Sequence, residues 1–244
     1  MAFTYHIGIA GMTFQVTSEF SSTAKYCRRF IVGKPGEHKI LVNQESIDME
    51  RQRYREAGPG VDASLADSPD RFLETVSLLR KLADYVTYYD RILMHGSSIA
   101  INGKAYIFTA LSGTGKSTHT ALLRQLHGDN AVMINDDKPF LHVQDDGVTV
   151  YGSPWMGKHG LGANISAPLA GIFFLRRSEQ NVLNKISPDE ALSLLISQCH
   201  RPTDPIAMMN SLGMMDKILS NVPFYDFGCN MDISAAELSS SVME

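Results

Sequence analysis

One segment, residues 106–118 with the sequence YIFTALSGTGKST, constrains the fold of this chain more than any other. Its first five residues are apolar or β-branched, which is typical of a buried strand. Residues 112–118 then combine two glycines with a Lys-Ser pair. Glycine allows backbone angles that a Cβ would block, so successive N–H groups can turn inward around an anion where the next helix begins. The segment therefore predicts a strand, a phosphate-binding loop for a nucleoside triphosphate and a helix.

Two side chains of this loop carry specific chemistry. Lys116 supplies a mobile positive charge for the β- and γ-phosphates, and the Ser117 hydroxyl can be a ligand for Mg²⁺. The general pattern of such loops begins with glycine, whereas position 110 is Ala. The alternative is a glycine-rich turn without a ligand. The strand before the loop, the Lys-Ser pair and the amphipathic helix after it favour the phosphate-binding interpretation.

A second short apolar run, AVMI at 131–134, ends in Asn135, Asp136 and Asp137. In α/β sheets ligands bind at the C-terminal ends of the strands, so both carboxylates are expected beside the loop. There they can hold Mg²⁺ and accept a proton from an attacking hydroxyl. Successive residues of an extended chain point in opposite directions, so the residues alone do not say which aspartate takes which role. A solvated Asp-Asp turn is the alternative.

Composition excludes several other classes of protein. The 244 residues are 44% hydrophobic and 20% charged, as in an ordinary globular protein. The net charge of −4 argues against a nucleic-acid-binding surface. The sequence has neither an apolar run long enough to span a bilayer nor a basic leader before an apolar stretch, so we expect no membrane association and a cytoplasmic location. Three widely spaced cysteines indicate reduced thiols and no metal cluster.

The pattern along the chain predicts two regions, a small β-rich region with one helix over residues 1–60 and an α/β domain over residues 61–244. A long helix should begin at Pro69 and end near Tyr89. The pair Asn102-Gly103 between two apolar runs predicts a hairpin whose second arm leads into the loop. For the first region the predicted strands are residues 3–10, 12–18, 29–32 and 40–42, and the predicted helix is 44–56.

The spacing of these features resembles the bacterial HPr kinase/phosphorylase family. The resemblance rests on MHG at 94–96, the hairpin, the SGTGKS loop and the double aspartate. LSGTGKST is also similar to the nucleotide loop of phosphoenolpyruvate carboxykinases, and residues 135–140 and 151–169 are similar to small HPr-kinase-like proteins. The resemblance covers about 90–200. It implies an α/β fold, a mixed-sheet P-loop core of the HPr kinase/phosphoenolpyruvate carboxykinase type, with 61–244 as a P-loop kinase-like domain.

The resemblance also implies roles for individual residues. Asp136 would accept a proton, Asp137 would hold Mg²⁺ together with Ser117, and His95 would lie near the phosphates, the alternative being that His95 only ends a strand. The residues it implies as contacts of the nucleotide phosphates are Ser112, Gly113, Thr114, Gly115, Lys116, Ser117 and Thr118.

A glycine-rich stretch, residues 151–168, is the second cationic segment of the sequence. It is a candidate for a mobile cover that brings Lys158 onto the phosphates as charge develops in the transition state. The sequence does not rank Lys158 against His159. A long connection that needs glycine only for its turns is the alternative.

The predicted function is that of an ATP-dependent kinase that requires Mg²⁺ and transfers the γ-phosphoryl group to a hydroxyl of a peptide, a protein or a small molecule. The alternative is a nucleotide-binding regulatory or scaffold protein without phosphoryl transfer. The acceptor and the preference for ATP over GTP stay open, as does the oligomeric state, for which a homo-oligomer is one candidate.

Overall fold

The computed structural model describes residues 2–58, 61–111 and 113–243. The chain divides into two compact units between Tyr85 and Val86. The division drawn from the sequence lies earlier, at residues 60 and 61. The difference arises because the long helix after that point packs within the first unit, where Lys81 Nζ donates a hydrogen bond to the Leu41 carbonyl at 2.8 Å.

The first unit is a three-stranded sheet with helices. Its elements are β1 (Phe3–Ile9), β2 (Met12–Ser18), α1 (Ser21–Tyr26), β3 (His38–Leu41), α2 (Gln44–Arg55) and α3 (Asp70–Val86). Strand β1 pairs antiparallel with β2 through the turn at Ala10 and Gly11, which both have positive φ, and β3 pairs parallel with β2. Helix α3 is joined to α2 by the buried Glu50 of α2, which accepts hydrogen bonds from Arg80 of α3 at 2.7 and 2.8 Å.

The strand predicted for residues 29–32 is wrong. The segment Arg28–Phe30 is a 3-10 turn, closed by a hydrogen bond from the Phe30 N–H to the Cys27 carbonyl at 2.8 Å. Only Ile31 forms an isolated bridge, to Ile7. The apolar character of the segment reflects the burial of Phe30 rather than a place in a strand.

The second unit is built on a mixed sheet. Its strands are β4 (Arg91–Leu93), β5 (Ser97–Ile101), β6 (Lys104–Thr109), β7 (Ala131–Asn135), β8 (Phe140–Gln144), β9 (Gly147–Tyr151), β10 (Ser166–Arg177), β11 (Val182–Ile186) and β12 (Phe224–Cys229). The strand order is β4-β8-β9-β10-β6-β5-β7, and β12 pairs with β10 on one side and β11 on the other. Strand β10 is parallel to β6 and β12, while β5 is antiparallel to both β6 and β7. Strands β6, β7, β10 and β12 therefore run in one direction, and their C-terminal ends meet at one edge.

Helices cover both faces of this sheet, which confirms the α/β class. They are α4 (Lys116–His127), α5 (Pro188–Gln198), α6 (Pro205–Asn221) and α7 (Ile233–Ser240). Ile107 packs with residues of α5 and α6, whereas its neighbour Phe108 packs with residues of α4 and α7. A strand that is buried on both faces reads as a continuous apolar run, which explains the sequence of β6.

The hairpin predicted at Asn102-Gly103 joins β5 and β6, and both turn residues have positive φ. Within the residues that the structure describes, we find no helix with the length and apolar character needed to cross a bilayer.

Candidate functional site

The glycine-rich loop, residues 113–118 including the first residues of α4, follows the C-terminal end of β6, as the sequence predicts. Gly113 and Gly115 have φ of +77° and +121°, in the region that favours glycine. The first turn of a helix leaves N–H groups without intrahelical partners and carries the positive end of the helix dipole. The loop can therefore bind an anion at the start of α4. Ser112, which the sequence also assigned to phosphate binding, lies outside the described residues.

The charge of Lys116 is held at the base of this loop. The residue is only 9% exposed, and its Nζ donates hydrogen bonds to the carbonyls of Ala110 at 3.0 Å and Leu111 at 3.4 Å. Burial lowers the pKa of Lys116, an effect that the nearby carboxylates of Asp137 and Asp136 oppose. The ammonium group thus lies close to both acidic residues.

The two aspartates are presented by a turn that Asn135 organises from the end of β7. Its side chain is fully buried, and its Oδ1 accepts hydrogen bonds from the N–H groups of Asp137 at 2.9 Å and Lys138 at 2.6 Å. Its Nδ2 donates to the Ser153 carbonyl at 2.9 Å and to the Ser153 hydroxyl at 3.1 Å. Asn135 therefore fixes the backbone that carries the acids. The sequence alone suggested no role for it, although an Asn that begins a turn is a known signal for this geometry.

Asp136 is the more buried of the two acids, at 5% exposure. Its Oδ1 accepts a hydrogen bond of 2.7 Å from the Ser97 hydroxyl, which lies 3.1 Å from the Thr120 hydroxyl on α4. Its backbone N–H donates to the Leu161 carbonyl at 3.0 Å. One carboxylate oxygen of Asp136 is thus held in place by side chains that the sequence pattern did not single out.

Asp137 has a different environment. Its side chain is 32% exposed, and its Oδ1 lies 3.4 Å from His95 Nε2 and 3.7 Å from Lys138 Nζ. Burial raises the pKa of Asp137 even though Lys138 and Lys116 act in the opposite direction. Asp137 is therefore a carboxylate with access to solvent and a raised proton affinity.

His95 contacts Asp137 as a neutral imidazole. Burial, followed by the charges of Lys138 and Lys116, lowers the pKa of His95 to about 3. The short distance to Asp137 alone is compatible with an ion pair, but the two lysines oppose protonation of the ring. The backbone of His95 is fixed, since its N–H donates to the Gln198 carbonyl at 2.8 Å and its carbonyl accepts from the Thr109 hydroxyl at 2.7 Å.

The glycine-rich segment after β9 folds back along the free edge of β7. The Ala163 N–H donates to the Ile134 carbonyl at 3.1 Å, and Gly162 forms a bridge with Asn135. Gly157, with φ of +64°, lies against Asp137, where a Cβ would be 3.3 Å from the Asp137 Cβ. The next two residues, Lys158 and His159, are exposed.

Replacing Gly152 by Ala is expected to destabilise the protein by about 3 kcal/mol, because the added Cβ overpacks a closely packed site. That Cβ would lie 1.9 Å from the Ala163 carbonyl oxygen and 2.8 Å from the Ile134 carbonyl oxygen. Gly213→Ala is the matched control: Gly213 lies on α6, and nothing is within 4 Å of its added Cβ. This control should stabilise the helix by about 0.5 kcal/mol. Urea denaturation measures both changes, and equal midpoints would contradict the packing of the segment against β7.

One cavity of about 460 Å³ brings these elements together. Among the predicted residues, those lining the 460 Å³ cavity are His95, Gly113, Gly115, Lys116, Ser117, Thr118, Asp136, Asp137 and Lys158, and His159 lines it as well. Of the predicted loop contacts that the structure describes, Thr114 alone does not line this cavity; it lines a neighbouring one.

The oxygen atoms of the side chains that line this cavity suit a divalent cation whose remaining ligands come from a bound phosphate and from water. Across residues 2–58, 61–111 and 113–243 there is no group of three or more His, Cys, Asp or Glu side chains that can hold a metal ion by itself. Mg²⁺ is usually bound through one or two carboxylates together with phosphate oxygens and water. Asp136, Asp137 and the Ser117 hydroxyl fit that partial set of ligands.

Comparisons with known proteins add little to this geometry. No protein-family model matches the sequence, and no curated protein matches it. Among solved structures, the chain is similar to the HPr(Ser) kinase/phosphatase from Coxiella burnetii, with a TM-score of 0.35 and 10% sequence identity over 62% of this chain and 92% of that chain. A TM-score of this size does not establish a shared fold.

Proposed function

We propose that this chain is an ATP-dependent kinase that requires Mg²⁺ and transfers the γ-phosphoryl group to a hydroxyl of a peptide, a protein or a small molecule. One observation carries the proposal: the glycine-rich loop with Lys116, the two aspartates, His95 and Lys158 all line the same cavity of about 460 Å³. The proposal also includes a more specific fold for residues 61–244, namely a P-loop core of the HPr kinase/phosphoenolpyruvate carboxykinase type. This part of the proposal rests on the sequence resemblance.

The loop and its cations would bind and neutralise the triphosphate. Phosphoryl transfer places little covalent demand on a protein, and catalysis comes mainly from positioning and from stabilising negative charge. The N–H groups at the start of α4 would hold the phosphates, with Lys116 beside them. Lys158, which lies on the exposed part of the glycine-rich segment, would add positive charge to the transferring group. When bound, Mg²⁺ would neutralise charge on the β- and γ-phosphate oxygens.

The environments of the two acids support a division of roles that reverses the one implied by the sequence resemblance. Asp136 is buried and has one oxygen fixed by Ser97, which suits a rigid metal ligand. Asp137 is more exposed and has a raised pKa, and a general base is most effective when its pKa lies closer to the working pH. We therefore assign the base to Asp137 and the metal to Asp136 and Ser117. Neutral His95 would orient the Asp137 carboxylate.

The transfer step exchanges one bond to phosphorus for another. The acceptor hydroxyl gives its proton to Asp137, and its oxygen forms a bond to the γ-phosphorus. The bond from that phosphorus to the β,γ-bridging oxygen breaks, and its electron pair leaves with ADP. The products are the phosphorylated acceptor and ADP, and Asp137 returns its proton to solvent through the open side of the cavity.

The free thiols of Cys27, Cys199 and Cys229 fit a reducing compartment, so the proposal includes a cytoplasmic location.

Transfer of labelled phosphate tests this function even while the acceptor is unidentified. The purified chain is incubated with Mg²⁺ and ATP labelled at the γ-phosphate, together with a heat-treated cell extract split into small-molecule and macromolecular fractions. A labelled product should form in one fraction with the wild-type chain. It should form about a thousandfold more slowly with Asp137→Asn, which keeps the remaining residues of the cavity.

Two other outcomes would contradict the proposal. If the chain binds ATP but labels nothing in either fraction, the alternative of a nucleotide-binding regulatory protein is favoured. If calorimetry detects no binding of ATP or of inorganic tripolyphosphate, the assignment of the loop itself is wrong.

A further inference from the structure

A second cavity, of about 660 Å³, lies beside the same glycine-rich loop and shares Gly113, Gly115 and Thr118 with the first. The order of strands explains the pair of cavities. β6, which leads into the loop, has β5 and β7 on one side and β10 and β12 on the other. The first cavity contains the acids from the end of β7, whereas the second contains residues that follow β10 and β12. The loop therefore separates two cavities at the same edge of the sheet.

The residues after β10 and β12 form a fixed wall in the second cavity. Asn230 donates from Nδ2 to the Glu179 carbonyl at 3.3 Å and accepts at Oδ1 from the Asp232 N–H at 3.0 Å. The Ser178 N–H donates to the Cys229 carbonyl at 3.1 Å. These hydrogen bonds hold the two chain segments together and engage both polar ends of the Asn230 side chain.

The exposed part of that wall is mostly apolar. Met231 is 76% exposed and lines this cavity, and the partly exposed Cys229 lines it as well. Arg177 crosses from the end of β10 to the loop, where its Nη2 donates to the Gly113 carbonyl at 2.6 Å. The surface of the cavity is thus mostly apolar, with the positive charge of Arg177 at its border with the loop and Glu179 among its other lining residues.

On the basis of the proposed function, we propose that this second cavity holds the base and ribose of the nucleoside triphosphate. A triphosphate bound by the loop must leave its nucleoside on one side, and the acids and Lys158 occupy the other side, where the acceptor must enter. Pockets for small molecules have volumes of about 300–1,000 Å³ and mainly apolar walls, so a cavity of about 660 Å³ with Met231 and Cys229 in its wall suits a nucleoside. Arg177 would lie where the phosphate chain passes from one cavity to the other.

Calorimetry with two ligands tests the proposal, because inorganic tripolyphosphate has the phosphates of ATP but no nucleoside. Met231→Ala is expected to weaken binding of Mg²⁺-ATP by about fivefold, since a side chain loses apolar contact with the base. It should leave the affinity for tripolyphosphate within about twofold, because the loop is unchanged. Met209→Ala is the matched control: Met209 is 71% exposed on α6 and does not line either cavity.

The thiol of Cys229 gives a second readout that needs no substitution. Cys27 and Cys199 are buried, and burial raises the pKa of each to about 12, so both should resist alkylation and serve as internal controls. Labelling of Cys229 by N-ethylmaleimide, followed by mass spectrometry of its peptide, should be slowed at least about fivefold by saturating Mg²⁺-ATP and little by tripolyphosphate.

The possible failures can be told apart. Binding of ATP that Met231→Ala does not weaken, with equal rates of Cys229 labelling in ATP and tripolyphosphate, would overturn the nucleoside site and leave the loop assignment intact. Failure of the wild-type chain to bind either ligand would instead remove the proposed function on which this site rests.

Discussion

Replacing Asp137 by Asn is expected to lower the rate of phosphoryl transfer by about a thousandfold, because general base catalysis typically contributes factors of this order. The amide keeps the size of the side chain but cannot take the acceptor proton. The affinity for ATP should be unchanged or slightly higher, since the substitution removes a negative charge 3.4 Å from His95 at the edge of the phosphate cavity. Single-turnover transfer to the labelled fraction, measured with calorimetric binding of ATP, separates the two effects.

Two further variants make this result specific. Asp146→Asn changes the same kind of charge at an exposed position outside the cavity and should transfer phosphate at the wild-type rate. Asp136→Asn should instead raise the concentration of Mg²⁺ needed for half-maximal transfer, because Asp136 is assigned to the metal. If Asp136→Asn loses transfer at saturating Mg²⁺ while Asp137→Asn retains it, the roles are those that the sequence resemblance implied.

Replacing Lys116 by Met is expected to weaken binding of Mg²⁺-ATP by at least about a hundredfold and to make transfer undetectable, because the loop loses its charge on the β- and γ-phosphates. Methionine keeps an unbranched apolar side chain in the buried position, so the packing of α4 is largely preserved. Lys185→Met, at an exposed position on β11, is the control for loss of one positive charge.

The fold of the Lys116 variant must be checked separately. Lys116 donates hydrogen bonds to the carbonyls of Ala110 and Leu111, and losing a hydrogen bond costs about 1 kcal/mol. The melting temperature of Lys116→Met should therefore fall by only a few degrees, and the variant should remain folded at 25 °C. Wild-type affinity for ATP in a folded Lys116→Met chain is incompatible with the proposed role of the loop.

Local signals in the sequence were sufficient for the elements nearest the site. The apolar run before the loop, the glycines that require positive φ and the Asn102-Gly103 turn each depend on a few neighbouring residues, and the structure has β6, α4 and the β5–β6 hairpin where they were predicted. The joint placement of Asp136 and Asp137 beside the loop followed from the direction of the strands. That placement does not require any side-chain contact to be known.

Contacts between residues far apart in the chain could not be predicted from the sequence. Ser97 and Asp136 are separated by 39 positions and meet because β5 and β7 pair antiparallel in one register. Local sequence patterns do not specify that register, so neither Ser97 nor Thr120 was identified. The strand expected at residues 29–32 failed for a related reason, since burial of Phe30 in a 3-10 turn gives the same apolar pattern as a short strand. The hairpin β8–β9 was also missed, although its turn residues, Asp145 and Asp146, and the Gly147 that follows them are a local turn signal.

Under the proposed function, the attachment of the glycine-rich segment to β7 would limit the entropy that is lost when the segment encloses a substrate. Hydrogen bonds from the N–H groups of Ala163 and Asp136 hold the segment against β7, and a hydrogen bond of 3.3 Å from the Gly160 N–H to the Gly157 carbonyl restrains its exposed tip, residues 157–160. Fixing the backbone of one residue costs about 1–2 kcal/mol. A tip of this length therefore opposes enclosure by only several kcal/mol, a penalty that contacts from Lys158 to a highly charged phosphate chain can offset.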